Sequence, residues 1–352
     1  MNSRINEIFE DYAKTSKTQL LIRNIYSSNF PDMHMFTELK HLQLINCNLS
    51  ELPKLPNILT LDISNNKLTQ LTSIPDTLIE LNATKNNIAN VNLISFVNLS
   101  ILNLSSNTLY SMGLPPNITE LNISNTKFVI TNDCAINTLT KLKKLDIEQC
   151  LIAQNGFDNL PNEIINISAS YLKTTNSIII NKLPEKIEHL KCINSNIQEF
   201  LFPVFPSSLR QLIIYNNKLR SIPRFMNILD ILDVSNNLLL EIPHIPDYVR
   251  FFDCSGNSEL KLTTEQQELL KNLDNLQETH ITLNENDDDD PFDQFNMSLL
   301  NITQNTQNTR SHMPHMPHTP HIPSHVMRLM NNDNFVPSSK RRLIKHDAVY
   351  IM

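Results

Sequence analysis

Five cysteines, a recurring aspartate and a spaced run of histidines are the residues whose types could do chemistry. A nucleophilic thiol needs a base beside it and an electropositive site that favours the thiolate. Cys47 and Cys150 share one place in a repeated pattern, Cys192 and Cys254 share another, and Cys134 stands in an insertion. Nothing around any of them marks a base. Asp233 and Asp253 fall on adjacent copies of the pattern, where carboxylates on neighbouring strands lie ~5 Å apart and could share a proton. Yet Asp62 and Asp146 hold the same place elsewhere, as do Asn82, Asn103 and Asn122, so the residue follows the pattern and not a catalytic site. His312, His315, His318 and His321 alternate with Met, Thr and Pro. On a polyproline II helix they line one face ~9 Å apart. Imidazole and thioether ligands suit zinc or copper, but the separation is too wide for one rigid site. No metal or other cofactor is expected.

Composition excludes further classes. With three glycines, Gly113, Gly156 and Gly256, neither G-x-G-x-x-G nor G-x-x-x-x-G-K-[ST] occurs. Nucleotide enzymes built on those loops are ruled out, and no small-molecule substrate is expected. A net charge of −7 disfavours a nucleic-acid partner, which calls for a basic surface. The opening MNSRINEIFEDYAK has no apolar run of signal-peptide length, and no stretch approaches a membrane span. An odd number of cysteines without C-x-x-C spacing fits a reducing compartment. A cytoplasmic location without a membrane partner is expected.

The elements that position these residues come from self-similarity over residues 39–260. The template is L-x-x-L-x-L-x-x-N-x-L, as in Ile58-x-x-Leu61-x-Ile63-x-x-Asn66-x-Leu68 and again from Leu99 and Leu209. Weaker copies start at Leu39, Leu78, Ile118, Leu142, Ile164, Ile187, Leu229 and Val249, which makes eleven. Two apolar residues flanking one polar residue put both side chains on one face of a short strand. The asparagine that follows turns inward, where its amide satisfies backbone groups of the bend. Thr126, Leu172 and Ser195 replace it in middle copies, which predicts irregularity there. Proline precedes the first template position by three residues in six copies, at Pro75, Pro115, Pro161, Pro184, Pro206 and Pro246. Each return segment should therefore be extended and not a full helix. One such unit buries too little to fold alone, so the copies must stack into a parallel sheet ~50 Å long.

The pattern resembles leucine-rich repeats. Its short period and lead-ins such as Leu183-Pro184-Glu185-Lys186-Ile187 are similar to repeats of the YopM and IpaH type in bacterial effectors. The Asn and Ile bias resembles repeat proteins of AT-rich genomes such as amoebae and large DNA viruses. The resemblance implies an α/β solenoid, a curved stack with a concave parallel sheet and a mostly non-helical convex side. IpaH-type proteins follow their repeats with a catalytic domain bearing a nucleophilic cysteine. No cysteine follows Cys254 here, so that ligase activity is not carried over.

Four segments are expected. Residues 1–38 form an N-terminal cap, with Ile5, Ile8, Phe9 and Tyr12 at helical spacing and Leu20 and Ile22 in a degenerate strand. Residues 39–260 are the repeats. Residues 261–283 cap the far end with a helix begun by a capping box at Thr264 and Gln267, its apolar face carrying Leu269, Leu270, Leu273 and Leu276. Residues 284–352 read as a disordered tail, with the acidic run Asp287–Asp290, an Asn/Gln/Thr stretch and the histidine tract. Lys340, Arg341 and Arg342, with Lys345, resemble a weak nuclear-import patch and read as a solvated basic end.

The function expected is a non-enzymatic scaffold binding a protein on its concave face. The alternatives are a substrate-recruiting subunit of a ubiquitin-type ligase and a structural or virion component. Concave positions are mostly polar, as in Thr60, Asp62 and Ser64, but Ile193, Ile213, Tyr215, Ile231 and Phe251 fall on them in the last four repeats. These five are the expected partner-binding site, an exposed apolar patch with aromatic anchors.

Overall fold

The structure is a computed structural model that describes residues 3–14, 16–26, 30–226, 228–245, 248–272, 278–280 and 348–351. Its main feature is a fourteen-stranded sheet in which all neighbours run parallel. The strands are β1 (Gln19–Arg23), β2 (His41–Ile45), β3 (Thr60–Asp62), β4 (Glu80–Asn82), β5 (Ile101–Asn103), β6 (Glu120–Asn122) and β7 (Lys144–Asp146). The series continues with β8 (Asn166–Ser168), β9 (His189–Lys191), β10 (Gln211–Ile213), β11 (Ile231–Asp233) and β12 (Phe251–Asp253). β13 (Glu278–His280) follows β12 at one edge, and β14 (Ala348–Ile351) lies outside β1 at the other. The eleven expected strands are β2–β12, a solenoid of about eleven turns. The middle residue of each short strand from β3 to β12, such as Leu61, Leu81 or Leu102, is buried, and so is the residue two further on. Period-two burial turns these onto one face, and stacking joins them into a single core from Phe9 to Leu262.

Three residues beyond the end of each of strands β3–β12 stands a residue with left-handed backbone. Asn65, Asn125, Asn216 and Asn236 have φ of 57°, 52°, 55° and 50°, and Lys85, Ser106, Gln149 and Tyr171 repeat the conformation. Asparagine tolerates this region better than other residues with a Cβ. Hence a chain with three glycines can bend once per repeat. Of the three glycines, Gly256 has the left-handed backbone, with φ of 67°, and a Cβ there would come within 2.2 Å of the Asn236 Oδ1.

The next residue carries the inward asparagine. Asn66 Oδ1 accepts the N–H groups of Cys47 and Leu49 at 3.0 Å each, and its Nδ2 donates to Leu44 O at 2.7 Å and Ile63 O at 2.9 Å. Asn217 does the same with Ser195 N and Ile197 N, Cys192 O and Ile214 O. Each amide thus ties its own bend to the backbone of the preceding repeat. Where asparagine is missing, smaller donors stand in. Cys150 Sγ donates to Ile123 O at 3.0 Å, Thr126 Oγ1 to Ile123 O at 2.8 Å, and Ser195 Oγ to Ala169 O at 2.8 Å. Leu172 offers no such group, and its own N–H turns to Ser195 Oγ at 3.3 Å.

The expected extended return segments contain a turn. The carbonyl of Pro206 accepts the N–H of Leu209 at 3.0 Å, and Pro161 and Pro184 do the same for Ile164 and Ile187. Phe36, Phe96 and Leu139 close the same turn without proline. The geometry therefore belongs to the four-residue turn, and proline merely suits its start. Among the described residues the repeats hold one short helix, the 3₁₀ turn Ala135–Thr138.

Both ends are covered. Helix α1 (Ser3–Ala13) buries Phe9 and Tyr12, which contact the Phe36 ring with centroids 5.5 and 5.1 Å away. Helix α2 (Thr264–Asn272) opens with a capping box one residue earlier than its sequence suggests. Thr263 Oγ1 accepts the Gln266 N–H at 3.2 Å, and Gln266 Oε1 accepts the Thr263 N–H at 3.0 Å. The reciprocal pair requires the cap to precede the first helical residue. The expectation of a structureless segment from 284 to 352 needs correction at one place, because Ala348–Ile351 pairs with β1. Asp287–Asp290, the histidines at 312, 315, 318 and 321, Lys340–Arg342, Leu273 and Leu276 lie outside the described residues.

The amide ladder yields a stability prediction. Asn217→Ala leaves two N–H groups and their facing carbonyls buried without partners, at ~1–3 kcal/mol per unsatisfied group. We expect a loss of about 3–5 kcal/mol in urea unfolding, against less than ~0.5 kcal/mol for exposed Lys218→Ala. Equal midpoints for the two variants would remove the ladder from its central place.

Candidate partner-binding face

The outer face of the sheet is a grid set by strand register. One row runs Asp62, Asn82, Asn103 and Asn122 to Asp146 across β3–β7. These side chains have a local task. Asp62 Oδ1 accepts the Ser64 N–H at 2.9 Å, Asn103 Oδ1 the Ser105 N–H at 3.0 Å, and Asp253 Oδ1 the Ser255 N–H at 2.9 Å. Such Asx turns close the strand before the left-handed residue. This explains why Asp and Asn alternate freely at the position, as the sequence pattern implied.

Further along, the row becomes Ser168, Lys191, Ile213, Asp233 and Asp253. Lys191 Nζ lies 2.7 Å from Glu148 Oε1, which also accepts the Ser168 hydroxyl at 2.6 Å. This partly buried cluster was missed in the sequence, although template columns alone place its members on facing positions. Burial first, then the Glu148 carboxylate, pushes neighbouring Asp146 up to about 7.

The five apolar residues expected to form an exposed patch are buried. Ile193, Ile213, Tyr215, Ile231 and Phe251 are 1%, 4%, 5%, 6% and 2% exposed, and none belongs to the main core. Register brings them together, with Ile231 beside Phe251 and Ile213 beside Asp233. The expectation equated pointing away from the core with facing water. Apolar side chains converging on a sheet face lose that water wherever other atoms can replace it. The expected patch is thus a second buried apolar layer.

Polar groups lie within this layer. Asp233 and Asp253 are 2% and 6% exposed. Burial first, then the Asp253 charge, raises Asp233 to about 7 against the opposing hydrogen bonds from Ser235. The Tyr215 hydroxyl is buried and has no hydrogen-bond partner among the described residues. Burial also raises the Tyr215 phenol well above its ordinary value.

The cysteines are all free thiols. Burial raises Cys47, Cys150 and Cys192, and pushes Cys254 up to about 12, which holds these four protonated and unreactive at neutral pH. Cys134 is partly buried, its sulfur 3.8 Å from Asn137 Oδ1. Among the described residues no group of three or more His, Cys, Asp or Glu could hold a metal ion.

Asp233 makes a pH prediction possible. Its folded value of about 7 stands above an ordinary value of 3.8, so the folded state binds the extra proton. The associated stability is present below pH ~4 and is lost as pH rises toward ~7. Asn already fills this position in β4–β6, so Asp233→Asn keeps the Asx turn. We expect the variant to gain on the order of 2–4 kcal/mol at pH 7 and to show a shallower fall in stability between pH 4 and 7. An unchanged slope in thermal melts across that window would contradict the assignment.

No family model matches the chain, and no curated protein matches it in sequence. Solved structures do. YopM from Yersinia enterocolitica is 20% identical over 74% of this chain, with a TM-score of 0.47, and the chain spans 64% of that structure's length. An internalin from Listeria monocytogenes is 13% identical over 80% of this chain and 94% of its own, with a TM-score of 0.48. A chain in the complex of Latrophilin 3, Unc5D and FLRT2, where FLRT2 is the leucine-rich repeat component, is 19% identical. That likeness covers 70% of this chain and 90% of the other, with a TM-score of 0.52. With eleven copies of the template, a buried asparagine at the bend and this shared fold, the chain is a stack of leucine-rich repeats.

Proposed function

We propose that the chain is a non-enzymatic scaffold that holds a protein partner on the concave, outer face of its sheet. The observation that carries this reading is a long parallel sheet whose outer rows are half-buried polar side chains fixed by Asx turns. Such a surface is rigid before binding and loses little freedom on contact. The four buried thiols, Cys47, Cys150, Cys192 and Cys254, are held protonated, which favours binding over catalysis. FLRT2, with the same fold, is found in a complex with Latrophilin 3 and Unc5D, which supports a protein as the class of partner. Free thiols suit a reducing compartment such as the cytoplasm.

Within this face, Ile193, Ile213, Tyr215, Ile231 and Phe251 are the candidate anchors, and the polar row of β3–β6 is the steering surface. Because the anchors are buried, a partner reaches them only by replacing the atoms that cover them. The partly exposed residues Thr60, Glu80 and Ile101 need no such exchange.

The test is affinity capture with the full chain, followed by quantitative binding to the stoichiometric partner recovered. We expect the triple variant Thr60→Arg, Glu80→Arg and Ile101→Arg to weaken capture at least tenfold, with an unchanged circular dichroism spectrum. Capture unaffected by this variant would remove the partner from that face. Ligase subunits recovered in place of a single client would replace the scaffold reading with a recruiting one.

A further inference from the structure

A parallel sheet has two edges, and each leaves a row of backbone N–H and C=O groups to be covered. At the far edge the cover comes from nearby in sequence, since β13 (Glu278–His280) follows α2 and pairs with β12. At the near edge it comes from the other end of the sequence. β14 pairs with β1 in parallel, Gln19 beside Ala348, Leu20 beside Val349, Leu21 beside Tyr350 and Ile22 beside Ile351. Helix α1 closes the flank of the core through Phe9 and Tyr12, but it contributes no strand. The outer edge of β1 therefore depends on four residues supplied from over three hundred positions away.

The register is selective. Leu20 and Ile22 are 1% and 0% exposed, so the core extends fully to β1. Val349 and Ile351, both β-branched and suited to strands, fall at their register positions. The acceptor thus matches an extended segment with β-branched residues at alternate places. Four residues provide only a few ladder hydrogen bonds, each of small net value against the same bonds to water. They are also joined to β1 from over three hundred positions away in sequence, and the entropic cost of such a contact grows with that separation.

We propose that the outer edge of β1 is a strand-acceptor site, held by residues 348–351 as a displaceable guard that a free strand of the same sequence can replace. Such an edge binds by β-augmentation, with affinity from main-chain bonds and selectivity from alternate side chains. The guard keeps the edge from pairing with other chains.

The experiment compares the full chain with a variant lacking residues 346–352. Hydrogen exchange of the Gln19–Arg23 amides is followed, and the His189–Lys191 amides serve as a check that the repeats remain folded. We expect exchange at β1 to quicken at least tenfold on deletion, with β9 unchanged. A labelled peptide of residues 346–352 added to the deletion variant should bind saturably and restore protection at β1. A peptide carrying Val349→Pro and Tyr350→Pro, which lacks those ladder donors, should not. Unchanged exchange at β1 on deletion, or equal binding of both peptides, would overturn the proposal. Dimers of the deletion variant that dissolve on adding the peptide would support it.

Discussion

A carboxamide buried at every bend is the constraint on which the solenoid rests. A strand that turns out of a sheet leaves N–H and C=O groups that neither the strand nor water can satisfy. Asparagine offers two donors and an acceptor from one planar group, and Asn66 and Asn217 use all of them. Because some bonds reach the preceding repeat, satisfying one bend also fixes the next turn in register. The left-handed residue before the asparagine aims that amide inward. Register and core follow from these two adjacent residues.

Much of this was legible in the sequence. The alternation of Leu61 and Ile63 around Asp62 gives a strand with one buried face, and its recurrence gives the stack. The inward asparagine followed from the polar demands of a bend. The preceding residue did not, because Asn65, Lys85, Ser106 and Gln149 share a conformation without sharing a chemistry. The turn before each strand was read too closely from its prolines, although Phe96 and Leu139 make it as well. On the candidate face, the columns holding Ile213 and Phe251 were readable but their burial was not. Direction from a strand is local, whereas exposure depends on what else lies over the face. β14 was hidden for the same reason, since four residues after a polar stretch gain their role only from the edge they meet.

The outer face has its own economy of charge. Carboxylates recur there to cap backbone N–H groups; Asp62 and Asp146 stay partly exposed, whereas Asp233 and Asp253 are buried. The same device becomes electrostatically costly where the carboxylate is desolvated beside a second one, as at Asp146 next to Glu148 and at Asp233 next to Asp253, and both are driven toward their neutral forms. A role inherited from the repeat thus acquires different chemistry from its neighbours.

Four successive bends, at Thr126, Cys150, Leu172 and Ser195, lack the asparagine. On either side, amide-linked repeats form continuous blocks from Asn66 to Asn107 and from Asn217 to Asn257. The stretch between them is held by thinner hydroxyl and thiol contacts. Glu148, Ser168 and Lys191 lie across this stretch on the opposite side of the sheet, joining three consecutive repeats through one carboxylate oxygen. Under tension along its axis the molecule has a seam at its middle and a clasp of charge over that seam. High salt and pulling force should therefore act together, loosening the join between two blocks before either block unwinds.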